Sequence, residues 1–123
     1  LKQRSVKIFA AVSGFTCVLL GAFAAHGLKG QLSTYQLDIW HTAVFYQFVH
    51  TLVLLQLSQL KSFSQLIVWA KYAFVIGIVL FSGSLYLLSL SAIKWLGVIT
   101  PIGGVALLTG WLLLLISSVK SKS

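Results

Sequence analysis

Acidic side chains are almost missing from this chain: Asp38 is the only Asp or Glu among 123 residues. Catalysis by a carboxylate pair needs an acid and a base held in concert, and one carboxylate cannot supply both. Cysteine is nearly as scarce. Cys17 stands alone in an apolar run, which excludes an intramolecular disulfide and a multi-cysteine metal site and leaves it as a small packing residue. Charge of either sign is rare too. Only 8% of the residues are charged and 59% are hydrophobic, where a soluble domain carries about a quarter charged, and the mean hydropathy is +0.99. Most positions offer water nothing, so the bulk of the chain must face lipid. No nucleophile elbow or phosphate loop appears, and the protein is not expected to be an enzyme.

The charge that is present is basic, nine Lys and Arg for a net +8. Clustered cations bind nucleic acid by releasing its counterions. Here they sit singly or in short groups between apolar runs, where they mark membrane boundaries and attract anionic headgroups. The expected partners are therefore membrane lipids, with further copies of the chain or a larger membrane complex, and not nucleic acid. Apolar runs at about residues 6–26, 39–60, 68–90 and 95–118 predict an all-α integral membrane four-helix bundle, with residues 1–123 as a single transmembrane domain. With four spans, Lys2, Arg4, Lys7, Lys61, Lys71, Lys120 and Lys122 share one side, and only Lys29 and Lys94 lie on the other. The positive-inside rule then predicts that both termini are cytoplasmic. A bacterial inner (plasma) membrane is the expected location, or the mitochondrial inner membrane in a eukaryote.

The first run also resembles a secretory signal, with a basic start and small residues at Ala22-Phe23-Ala24. Its length suits a span, however, and Ala10, Gly14, Cys17, Gly21 and Ala25 form a small-residue stripe that lets a neighbouring helix approach closely. His26-Gly27-Leu28-Lys29-Gly30 reads as the end of this helix. Ser33 or Thr34 is placed to cap a short helix with Asp38 near its N-terminus. Trp40 and His41 are expected at headgroup level, and Trp69, Lys71 and Tyr72 at the start of the third span.

The second span is the least lipid-like. Thr42, Tyr46 and His50 recur every four residues with Gln47 beside them, and such groups at membrane depth must turn towards protein or a wet cavity. Ser82, Ser84 and Tyr86 on the third span are the expected partners, giving an intramembrane polar seam. In the fourth run, Pro101 either starts a short helix behind a Thr100 cap or kinks a helix that begins near Trp95 by freeing the Gly97 carbonyl. The kink is favoured, because an irregular lipid-facing segment would leave backbone groups unpaired. Gly97, Gly103, Gly104 and Gly110 supply a narrow packing surface beside it, as Gly14 and Gly21 do on the first helix.

His26, His41 and His50 invite a metal or haem. His41 and His50 are nine residues apart, so the HExxH zinc spacing is absent, and His26 near a surface makes a poor axial partner for His50 near mid-depth. No metal or cofactor is expected. His26, Asp38 and His41 remain loop candidates. An accessory or scaffold protein that binds lipid or a partner membrane protein is the leading functional reading. A small-solute or proton conduit along the His50 seam is the alternative, and a cofactor-binding redox subunit comes third.

Four motifs carry a further likeness: Gly21-Ala22-Phe23-Ala24-Ala25-His26-Gly27-Leu28, the run from Thr42 to His50, Phe81-Ser82-Gly83-Ser84-Leu85-Tyr86, and Trp95 to Gly104 followed by Gly110-Trp111. In this order and spacing, over nearly the whole chain, they resemble the small membrane-protein family of unknown function that includes bacterial YgdD and eukaryotic transmembrane protein 256. The resemblance implies an integral membrane protein of about four spans and brings no activity. Ala24 stands where the family form has glycine.

Overall fold

The computed structural model describes residues 2–60, 64–91 and 93–121, and among them every extended element is helical. Four long helices follow one another: α1 (Gln3–Leu28), α2 (Thr34–Ser58), α3 (Gln65–Leu90) and α4 (Leu96–Lys120). By length and composition α1, α3 and α4 are apolar enough to cross a membrane. The 25 residues of α2 are long enough for a hydrocarbon core of about 30 Å, but Asp38, His41, Gln47 and His50 dilute its hydropathy.

The helix ends differ from the sequence expectation where local chemistry intervenes. Ser33 caps α2 itself and not a separate short helix: its hydroxyl accepts from the Gln36 N–H at 3.1 Å, and its own N–H donates to Gln36 Oε1 at 2.9 Å. This reciprocal box satisfies two orphan donors and starts α2 ahead of the expected Ile39. Asp38 consequently lies beyond the first turn. Helix α1 runs through His26 and widens into a π-helical turn at Ala24–Leu28. Gly30 then reverses the chain at φ 88°, a left-handed value that glycine adopts without steric cost. Lys61, Ser62 and Phe63 fall outside the described residues, as do Lys122 and Ala92.

Two clusters hold the helices together. At the end carrying the chain's N-terminus, Val6, Leu54, Ile67, Phe74 and Leu107 bring all four helices into one core, and the Gln3 side chain donates to the Ser58 carbonyl. At the opposite end Ala24, Leu28 and Trp40 pack beside Tyr86. Trp40 is a correction to the expected interfacial role. It is only 2% exposed, and its indole N–H donates at 2.9 Å to the Leu20 carbonyl, close to the point where α1 turns π-helical and its regular hydrogen-bond ladder changes step. Lys71 is also more enclosed than a boundary residue should be, at 6% exposure, while Trp69 and Tyr72 remain on the surface.

Elsewhere large apolar side chains point outwards, with Leu108 69% exposed on α4. Such a surface suits a hydrocarbon solvent and would be untenable in water. Pro101 lies inside α4, whose first residue is Leu96, so its missing N–H falls within the helix as in the favoured sequence alternative.

Candidate intramembrane site

The polar groups of α2 do not form one seam. They divide into two centres along its buried face, one turned to α1 and α3 and the other to α4. The reason is geometric: a four-residue stride advances 400° around a helix, so each step drifts by about 40°. The buried face follows Trp40, Ala43, Gln47, His50, Leu54 and Leu57, with mixed strides of three and four. Thr42 and Tyr46 therefore fall at or beyond its margin.

Gln47 organises the first centre. Its Nε2 reaches the Ser13 carbonyl at 2.9 Å, Ser13 Oγ at 3.2 Å and Thr16 Oγ1 at 3.1 Å on α1. Its Oε1 accepts from the Tyr86 hydroxyl of α3 at 2.6 Å. Ser13 and Thr51 share a further hydrogen bond at 2.7 Å. One amide thus ties three helices. Nearby, Ser82 Oγ donates to the Ala43 carbonyl at 2.9 Å. Ser89 Oγ donates to the Gln36 carbonyl, and Gln36 Nε2 returns a bond to the Ser89 carbonyl.

His50 heads the second centre, and its partner is on α4. The Trp111 indole N–H donates to His50 Nε2 at 3.0 Å. An indole nitrogen can only donate, so Nε2 is unprotonated and Nδ1 carries the hydrogen, which it donates to the Tyr46 carbonyl at 2.7 Å. This is a neutral imidazole with both nitrogens committed. Phe74 stands edge-on to Trp111, ring centres 5.6 Å apart, and the Tyr46 ring lies nearly parallel to His50.

Placed against expectation, Gln47 meets Tyr86, and Ser82 meets α2 through a backbone carbonyl. Ser84 pairs instead with Thr100 of α4 at 2.6 Å. Thr42 is outside the site, exposed and bonded back to the Asp38 carbonyl. His26, Asp38 and His41 lie within helices, not in loops, and are exposed, and among the described residues no three His, Cys, Asp or Glu side chains group as a metal site. Gly14 and Gly21 face Thr51 and Val44 of α2. Gly104 faces the Phe81 ring, whereas an added Cβ at Gly97 would meet no atom within 4 Å among the described residues. Ser13, Thr16, Thr51 and Trp111 were missed. Ser13 and Thr16 interrupt an otherwise apolar run at a helical three-residue step, a signal that could have marked them.

Between α2 and α4 the aromatic contacts leave an apolar groove of about 510 Å³, lined by Phe45, Tyr46, Phe81, Gly104, Leu108 and Trp111 among others, with His50 on its wall. Its polar atoms are largely spoken for. What the groove offers is apolar contact and aromatic faces.

A family model described as "Protein of unknown function (DUF423)" matches residues 20–104 of the chain. The chain belongs to the DUF423 family. It is similar to a UPF0382 membrane protein of Staphylococcus aureus, 44% identical over 92% of this chain and 93% of that protein. It is also similar to the UPF0382 membrane protein YwdK of Bacillus subtilis, 42% identical over 92% and 94%, and to the UPF0382 inner membrane protein YgdD of Escherichia coli, 40% identical over 99% and 95%. No solved structure matches. With three membrane-competent helices, this DUF423 protein resides in the bacterial inner (plasma) membrane. The DUF423 match takes in Trp40, Gln47, His50 and Tyr86 but ends before Trp111, so it covers the first polar centre's α2 and α3 members and only half of the second.

Proposed function

We propose that this is a non-enzymatic accessory protein, a four-helix transmembrane bundle with both termini cytoplasmic, which binds a membrane lipid between α2 and α4, alone, as an oligomer or within a larger membrane complex. The groove carries this reading: about 510 Å³ of apolar space, within the range of about 300–1,000 Å³ typical of small-molecule sites. The back of the groove is closed by a histidine–tryptophan pair whose nitrogens already have partners. The same satisfaction argues against a proton or solute conduit, since a relay needs groups free to exchange partners. The cytoplasmic termini rest on the seven Lys and Arg of one side against two on the other. Native mass spectrometry of the chain released from mild detergent tests the binding. A lipid-mass adduct should be present and should disappear in Gly104→Leu, which fills the groove. A chain carrying neither lipid nor protein partner would overturn the reading.

A further inference from the structure

One polar side chain at the groove stands outside both hydrogen-bonded centres. Tyr46 lines it, is 39% exposed, and its hydroxyl forms no hydrogen bond among the described residues. Tyr46 is also the midpoint of α2 (Thr34–Ser58), so in a spanning bundle the phenol stands near the middle of the hydrocarbon layer. No buried side-chain nitrogen or oxygen among the described residues lacks a partner, which sets Tyr46 apart from the Gln47 and His50 centres. A phenol facing hydrocarbon loses its hydrogen bond to water and gains nothing in return.

We infer that the groove binds an isoprenoid-quinone-class lipid, an uncharged ring bearing carbonyl oxygens on an apolar tail, with one carbonyl accepting the Tyr46 hydroxyl. This inference rests on the lipid-binding reading above. The depth of Tyr46 selects the class. The ester carbonyls of a phospholipid stay near the headgroups, about 15 Å from the midplane of a core about 30 Å thick. A phospholipid therefore brings only its acyl chains to Tyr46 and leaves the phenol unpaired. An uncharged ring has no such tether and carries its acceptor into the hydrocarbon. The walls agree with a flat ring. The Phe81 ring lies 4.7 Å from that of Tyr46, Trp111 also lines the groove, and offset or edge-on aromatic contacts favour a planar guest over a flexible chain. Gly104 opens the space beside Phe81, since even a modest side chain there would contact that ring.

The full-length chain in mild detergent is incubated with equal amounts of decylubiquinone and decylbenzene, the second having a ring and tail but no acceptor. After gel filtration the retained amount of each is quantified against empty micelles. The wild-type chain should retain decylubiquinone about ten-fold better than decylbenzene, the worth of one hydrogen bond shielded from water. Tyr46→Phe should bring the two to parity, and Gly104→Leu should lose both. Equal retention of the two probes by the wild type, or an unchanged preference in Tyr46→Phe, would overturn the quinone inference and leave lipid binding standing. Retention of neither probe, together with no native lipid adduct, would overturn both. Disulfide-linked dimers of Tyr46→Cys in a Cys17→Ser background would give the groove to a second copy of the chain and likewise overturn the inference.

Discussion

The α1–α2 and α3–α4 pairs are both antiparallel helices meeting through small residues, yet they are joined by different forces. Between α1 and α2 the glycines leave ordinary contact distances, 3.8 Å from Gly14 to Thr51 and 3.5 Å from Gly21 to Val44 for an added Cβ. The joint itself is made by Gln47, Trp40 and Cys17 reaching backbone carbonyls across the gap. Between α3 and α4 the backbones nearly touch. A side chain at Gly103 would collide with the backbone of Leu80 and Phe81, within the π-helical turn Ile78–Ser82, and one at Gly110 would come within 2.7 Å of the Phe74 ring. In lipid, burial of apolar surface does not drive helices together, so association must come from hydrogen bonds or from close van der Waals packing. Hydrogen bonds lead in the first half and close packing in the second, where the Ser84–Thr100 bond assists it.

The two devices should fail differently. Gly103→Leu meets backbone that cannot move aside, and overpacking of that kind costs about 3 kcal/mol or more. The variant should unfold at a markedly lower temperature in detergent, and an unchanged melting curve would mean that α3 and α4 do not approach as described. Gln47→Leu keeps the volume but removes the amide's contacts to Ser13 and Thr16 and leaves the Tyr86 hydroxyl without its acceptor. Intramembrane hydrogen bonds average about 0.6 kcal/mol, and the strongest reach about 1.7 kcal/mol, so the expected loss is about 1–2 kcal/mol. Were Gln47→Leu to cost more than Gly103→Leu in the same unfolding assay, the ranking of the two joints would be reversed.

The fold was more legible than the site, for a physical reason. Long apolar runs report membrane-competent helices directly, and Pro101 could be placed inside α4 because lipid forbids an irregular alternative. Which residues meet is a different matter. Thr42 and Tyr46 shared a four-residue stride with His50, but drift around the helix left them at its margin while Gln47 and Thr51 turned inward. Trp40 looked interfacial by type and proved buried, its indole N–H reaching the Leu20 carbonyl of α1, a pairing that no local pattern announces. The pairing of His50 with Trp111 spans 61 positions, and nothing local in either segment specifies it.

That pairing crosses between the two halves, and it allows a finer test than either joint. Trp111→Phe preserves an aromatic ring against Phe74 but removes the donor to His50 Nε2. The imidazole keeps its Tyr46 bond and loses one acceptor contact, so the expected cost is about 1 kcal/mol, below that of Gln47→Leu. The double variant Trp111→Phe with His50→Leu should then lose less than the sum of the singles, because each single variant removes the same hydrogen bond. Strict additivity in that cycle would show that His50 and Trp111 do not interact as described. Gly97→Ala, at the open start of α4 where an added Cβ meets no atom within 4 Å, is the low end of the scale. It should change stability by less than about 0.5 kcal/mol, as surface substitutions do, even though it shares a helix and a residue type with Gly103. A large effect there would mean that a surface now open to lipid is covered by another chain.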